Sequence, residues 1–286
     1  MALSGAMTVM ESDLRRIARQ ARDAQAAGRR RRAAALWSRI LSETPQDRRG
    51  EPYFEEASAY TPEFGRILVA NPRRRIYLAG CGRSGTWYAF GIMGTFAGTY
   101  LAPEERHFGH FATIAGESQP VHIVKRIHYS HQFLPALPRP IGLLYVLRDP
   151  RDVLTSVHNG TEYYISLDRW SLEMKALRTL LDAGRPNMLT VRFEDLVLQP
   201  RQEQVRIGEA FGLEIAGDPT AFHQNFRVNE FIERAMHGLR SPDPSVVGRW
   251  CRNPEHVEYI RRLMPAITDT FQPLADRFGY DLARDV

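Results

Sequence analysis

Residues 76–86 read Ile76-Tyr77-Leu78-Ala79-Gly80-Cys81-Gly82-Arg83-Ser84-Gly85-Thr86, and this stretch decides the fold. An apolar, strand-like run enters a glycine-rich turn, and a helix-compatible segment follows. Glycines let the backbone approach an anion, and a helix N-terminus directs amide N–H groups and a positive dipole end at it. The spacing of Gly80 and Gly85 fits the phosphate-binding pattern G-x-x-x-x-G-K-[ST], with Thr86 as the final hydroxyl. The lysine of that pattern is missing, and a cation, Arg83, sits inside the loop instead.

On either side of this turn, strands alternate with helices. Arg75–Ala79, Val121–Ile127, Ile141–Leu147 and Met188–Phe193 read as strands, and Ile141–Leu147 is apolar throughout, as a buried parallel strand is. Ser84–Phe96, Arg151–His158, Ile165–Leu181 and Pro200–Phe211 read as helices, with closing helix around Pro265 and Pro273 over Glu255–Phe278. The pattern predicts an α/β fold of three layers, α/β/α, around a central parallel sheet of P-loop-like type. Segments 98–120 and 215–255 are long and rich in Gly, Pro, His, Asn and Asp, which suits lids or substrate-binding loops.

The N-terminal part differs. Over 11–45, apolar residues including Leu14, Ile17, Ala21, Ala33, Leu36, Trp37, Ile40 and Leu41 recur at helical spacing, and Gly28 divides the run into a helical hairpin. Measured from Gly28, Ala33, Trp37, Ile40 and Pro45 fall at the offsets of the second half of a tetratricopeptide repeat. One such repeat cannot bury its own face, so it packs on the main domain or on a second subunit, which would make a homodimer. Residues 46–74, with Pro52, Pro62 and Pro72, read as a linker, and 75–286 as the main domain.

The 286-residue chain carries a net charge of +5 with a pI near 9.4, and only two of its 38 basic residues are lysines, Lys125 and Lys175. Arginine richness fits either a coding bias or a partner with several negative charges. No apolar run reaches the ~18 residues that cross a bilayer, and no signal-peptide core is present. Two cysteines, Cys81 and Cys251, make neither a metal-ligand spacing nor a disulfide scaffold. These features point to a reducing cytoplasm, and no metal cluster stands out.

Three further segments carry chemistry. In Val146-Leu147-Arg148-Asp149-Pro150-Arg151-Asp152-Val153-Leu154-Thr155-Ser156, Arg148 ends an apolar strand, where open α/β sheets bind ligands. Ser156 follows two helical turns on, so arginine fork and hydroxyl can grip one phosphate. Lys125-Arg126-Ile127-His128 closes the second strand, with His128 as general base, His131 in reserve, and Lys125 to neutralise charge on a leaving group. Phe193-Glu194-Asp195-Leu196 is a strand end running into a helix start.

Taken together, these residues resemble the sulfotransferase family that uses 3′-phosphoadenosine-5′-phosphosulfate, PAPS, over roughly 75–280. Gly82-Arg83-Ser84-Gly85-Thr86-Trp87 is similar to the family's 5′-phosphosulfate loop, P-K-S-G-T-T-W, with Arg83 in place of the common lysine. The resemblance makes Arg148 and Ser156 the 3′-phosphate ligands, Phe193–Leu196 the Y-E-D-L segment, and Arg240 with Gly248-Arg249-Trp250 the loop over the 3′-phosphate and adenine. Either Trp87 or Tyr88 meets the adenine. The family has histidine two residues after lysine, whereas His128 stands three after Lys125.

The resemblance implies in-line transfer of a sulfuryl group from PAPS to a hydroxyl or amine, leaving adenosine 3′,5′-bisphosphate, PAP. Arg83 and Lys125 stabilise the leaving oxygen, and no metal is required. Aromatic-rich segments around Phe96–Phe111, Tyr163–Tyr164 and Phe222–Phe231 suggest an apolar-walled pocket for a small-molecule, glycan or lipid acceptor, not a nucleic acid. Two rival readings predict other behaviour. A P-loop kinase or NTPase requires Mg²⁺-dependent ATP binding, and a non-catalytic nucleotide- or nucleic-acid-binding module requires salt-steep binding without turnover.

Overall fold

A computed structural model describes residues 2–44, 51–69, 73–103, 105–112, 118–127, 130–158, 160–225, 241 and 243–283. Five strands form one sheet: β1 (Arg74–Gly80), β2 (Thr99–Leu101), β3 (Val121–Lys125), β4 (Gly142–Leu147) and β5 (Met188–Arg192). The spatial order is β2-β3-β1-β4-β5 and every pairing is parallel. The expected P-loop-like α/β class with a covered parallel sheet is the observed one.

The strand period of two sorts the core. Tyr77, Ala79, Val124, Leu143, Tyr145 and Leu147 face one apolar cluster, whereas Ile76, Leu78, Ile123, Leu144, Val146 and Val191 face the other. Eleven helices among the described residues surround the sheet: α1 (Ala2–Ala26), α2 (Arg30–Glu43), α3 (Pro52–Val69), α4 (Thr86–Met93), α5 (Ser130–Phe133), α6 (Pro150–Leu154), α7 (Leu167–Asp182), α8 (Phe193–Leu198), α9 (Pro200–Phe211), α10 (Phe222–Asn225) and α11 (Pro254–Phe278). Residues of α1–α3, α7 and α11 join the first cluster, and those of α4, α8, α9 and α10 the second.

The hairpin turns at Gly28, whose φ of +68° suits a residue without Cβ. Leu14, Ile17, Ala21, Ala33, Trp37 and Ile40 are buried. The hairpin packs on its own chain: α2 lies against the 3₁₀ turn Phe108–Ala112, where Gly109 sits so close to Ser38 that a Cβ would overlap it. Pro45 lies outside the described residues.

The stretch read as a linker contains α3. Pro52 occupies its first position, where no N–H is needed. Tyr53, Ala57, Phe64 and Leu68 recur at helical spacing and are buried, which outweighs the breaker Pro62 inside the helix. The loop read over 98–120 holds the short edge strand β2. α11 runs unbroken through Pro265 and Pro273, anchored by Ile260, Ile267, Phe271 and Leu274. Among the described residues no helix is long and apolar enough to cross a membrane.

β1 lies between β3 and β4, so the chain leaves it toward one side of the sheet and later returns to the other. Ligands of open α/β sheets bind at such a reversal, beyond the strands' carboxyl ends. Residues 81–85 occupy that place.

Candidate active site

The turn after β1 is built by close approach. A Cβ on Gly80 would lie 2.7 Å from the Val146 carbonyl oxygen and 2.8 Å from Thr86 Cγ2, so only glycine lets β1, β4 and the start of α4 converge here. Gly85 has a φ of +81°, and a Cβ there would overlap the Phe193 ring. Arg83 adopts a φ of +69°, an uncommon conformation for a residue with a side chain. The Ser84 amide closes the turn onto the Cys81 carbonyl at 3.1 Å, and the Ser84 and Thr86 side chains are buried.

Around this turn three distant segments meet. Arg83 donates through Nε to Ser156 Oγ at 3.0 Å, and its Nη1 lies 3.2 Å from His158 Nδ1. Arg148 donates from Nη1 to the Arg83 carbonyl and from Nη2 to the Val246 carbonyl, each at 3.0 Å. Its guanidinium lies over the Phe193 ring, 4.4 Å from the centroid. Asp152 sits 3.5 Å from Arg148 Nη2 and accepts from the amides of Gly248 (2.9 Å) and Trp250 (3.0 Å). The short 246–250 segment is thereby fixed against the end of β4.

The electrostatics favour an anion. Burial, then the neighbouring Arg148, hold Arg83 below the usual guanidinium pKa. Two neighbouring cationic side chains stabilise an anion that enters between them. Burial raises the Asp152 carboxyl above its ordinary value, with Arg148 and the two amides opposing.

Lys125 forms the other wall. It is fully buried, its Nζ lies over the Trp87 ring at 3.6 Å, and it pairs with Glu105. Burial lowers its pKa to about 8 against the opposing pull of Glu105. Tyr88, by contrast, packs edge-on between Phe193 and Phe222 as a core residue.

The structure therefore brings together Gly82, Arg83, Ser84, Gly85, Thr86, Trp87, Lys125, Arg148, Ser156 and Gly248 at the carboxyl ends of the strands. The two anion grips adjoin, because Arg83 donates to Ser156. His128 and Arg240 lie outside the described residues. His131 is engaged by Glu173, which meets its amide at 2.9 Å and its Nδ1 at 3.1 Å.

Two residues at the site were not singled out from sequence. His158 follows Ser156 by two positions, and its contact with Arg83 depends on the fold of the loop after α6. Glu105 lies in the charged run Glu104-Glu105-Arg106-His107; the pairing of this segment with the end of β3, where the Arg106 amide meets the Lys125 carbonyl at 2.9 Å, brings the carboxylate to the lysine.

No family model matches the chain, and no curated protein does. One solved structure shares its fold, and two others align more loosely. A sulfotransferase domain from the curacin biosynthetic pathway aligns over 73% of this chain and 98% of that one, with 12% identity and a TM-score of 0.52. A sulfotransferase domain from the Synechococcus PCC 7002 olefin synthase aligns over 63% and 88%, with 16% identity and a TM-score of 0.48. A mouse sulfotransferase complexed with PAP aligns over 72% and 89%, with 13% identity and a TM-score of 0.45.

Proposed function

We propose that this chain is a sulfotransferase, moving a sulfuryl group from PAPS to a hydroxyl or amine of a small-molecule, glycan or lipid acceptor. The observation that carries the reading is the meeting of Arg83, Arg148 and Ser156 at one crevice: a glycine-rich anion turn joined to a second cationic grip suits a nucleotide phosphorylated at both ends. The absent lysine after Gly85 and the inward Arg83 argue against an ATP-type phosphate loop.

In this reading the turn amides, Ser84, Thr86 and Arg83 hold the 5′-phosphosulfate. Arg148 and Ser156 hold the 3′-phosphate, and the Gly248–Trp250 segment, tied down by Asp152, flanks it; Arg240 joins that group from outside the described residues. Trp87 supplies the aromatic face near the donor, and Tyr88 supports the wall behind it. The bond between sulfur and the bridging phosphate oxygen breaks and its electron pair stays on that oxygen, giving PAP. A new bond forms between sulfur and the acceptor heteroatom. The transition state is loose, with charge gathering on the leaving oxygen, where Arg83 and Lys125 counter it.

The acceptor proton goes to a base near Lys125. Glu105 fits that role best, since its carboxylate already pairs with Lys125 and remains partly exposed, at 28% of the side chain. His128, three residues beyond Lys125, is the second candidate. Thermal-shift titration tests the donor assignment: PAP is expected to raise the midpoint without metal, and ATP with Mg²⁺ to have far less effect, because a ligand selective for the native state stabilises by mass action. Equal stabilisation by both would sink the reading.

A further inference from the structure

On the opposite face of the sheet from Trp87 lies a second group of polar residues that the proposed transfer does not use. Strand alternation sends Lys125 toward Trp87 and sends Arg126 to the face of Tyr77, since Val124 and Tyr77 are paired in register and belong to the same cluster. The Arg126 amide donates to the Leu78 carbonyl at 3.2 Å, which holds it at the end of the sheet. Tyr77 and His107 share two neighbours, the rings of Phe108 and Phe133, at centroid distances from 3.9 to 6.3 Å. The charge of Arg126 acts on both Tyr77 and His107.

Among the described residues, each of these three side chains has a buried polar atom without a hydrogen-bond partner: Arg126 Nε, His107 Nε2 and Tyr77 Oη. Tyr77 is fully buried and His107 is 6% exposed. The His107 ring accepts at Nδ1 from the Gly109 amide at 3.4 Å. Burial, helped by Arg126, holds its pKa well below the ordinary value, so the ring is neutral and its one proton sits on Nε2. Burial likewise keeps the Tyr77 hydroxyl protonated. Arg126 Nε–H is a donor. All three atoms are therefore donors, and Glu105, whose charge also acts on Tyr77, pairs with Lys125.

Buried donors without acceptors are rare and costly, and three together ask for a group made of acceptor oxygens. We infer that Arg126, His107 and Tyr77 form a subsite for an oxyanion, a carboxylate, phosphate or sulfate carried by the acceptor beside the hydroxyl that receives the sulfuryl group. Half-buried Arg126 meets the anion first, and the two buried donors complete its shell. The assignment to an acceptor rests on the sulfotransferase reading; the anion site itself rests only on the three donors.

Titration of the full chain tests it, with inorganic phosphate, glycolate and methyl glycolate as probes at constant ionic strength, with and without saturating PAP. In the wild-type chain, phosphate and glycolate are expected to raise the thermal midpoint saturably, and methyl glycolate to leave it unchanged. Arg126→Gln is expected to weaken phosphate and glycolate by roughly tenfold or more, as loss of a charge-assisted bond implies, and to leave PAP stabilisation intact. The His107 Nε2 nitrogen resonance is expected to move with phosphate in the wild type and to stay put in the variant. Loss of all PAP stabilisation in the wild type overturns the donor assignment, while the Arg126-dependent phosphate titration still reports the subsite. Phosphate binding without glycolate binding makes this a free-anion site and overturns the acceptor assignment. No saturable shift in the wild type, or wild-type affinity in Arg126→Gln, overturns the subsite.

Discussion

Arg83 Nε donates to Ser156 Oγ at 3.0 Å, joining the turn after β1 to the end of the segment after β4. The same arginine receives Arg148 on its carbonyl oxygen. A guanidinium that is partly buried, bonded to a neutral hydroxyl and beside a second guanidinium is held in place at a cost to the fold. An anion is the group that reverses the sign of that cost.

Arg83→Met separates stability from binding. The variant is expected to unfold no more easily than the wild type in the absence of nucleotide, because it removes a desolvated charge beside Arg148. Its PAP affinity is expected to fall by about tenfold or more, in line with the loss of a charged hydrogen bond. Denaturant curves with and without PAP check both halves. A large loss of stability without nucleotide, with PAP affinity unchanged, would make Arg83 structural.

Lys125 predicts two pH effects. Its pKa is about 8 in the folded chain against 10.5 ordinarily. Below about pH 8 both folded and unfolded chains hold the proton, so the difference in protons bound is nil. Between about 8 and 10.5 the unfolded chain binds more protons, so stability rises with pH through that window. Lys125→Met is expected to remove this rise, which urea unfolding at the two ends of the window measures. In catalysis, kcat/KM with PAPS is expected to fall above pH 8 as the cation is lost, and a falling limb that persists unchanged in Lys125→Arg counts against the assignment.

Glu105→Gln keeps size and removes basicity. Sulfuryl transfer is expected to drop by about 10²-fold or more, the range for general-base removal, with PAP binding preserved. His128→Ala is expected to keep turnover within a few-fold. The reverse ranking, read from initial rates of PAP release, reassigns the base to His128.

Gly85→Ala places a Cβ where φ is +81° and where the Phe193 ring already sits. Holding an ordinary residue in such a conformation costs about 1–3 kcal/mol, and the ring must move as well. Stability and PAP affinity are expected to fall together, and Phe193→Ala in the same chain to restore part of the stability. Wild-type unfolding and PAP titration curves for Gly85→Ala would show that the close approach is not required.

By itself, the sequence determined the sheet and the turn. The runs around Ile76–Ala79 and Ile141–Leu147 are too apolar and too short for anything but buried strands, and the glycines at 80 and 85 permit a backbone geometry that other residues resist. The helices of the hairpin were legible because burial repeats at a fixed angular period, and local chain stiffness enforces that period. α3 was hidden by Pro52 and Pro62, whose meaning depends on whether the proline falls at a helix start or is outweighed by packing. Only the tertiary structure decided which charges share a space. Glu105 meets Lys125 across 20 residues, Ser156 meets Arg83 across 73, and the donors of Tyr77, His107 and Arg126 are gathered from three separate segments. Ion pairs and unmet donors are properties of distance and burial, and a linear order of residues encodes neither until the sheet has closed.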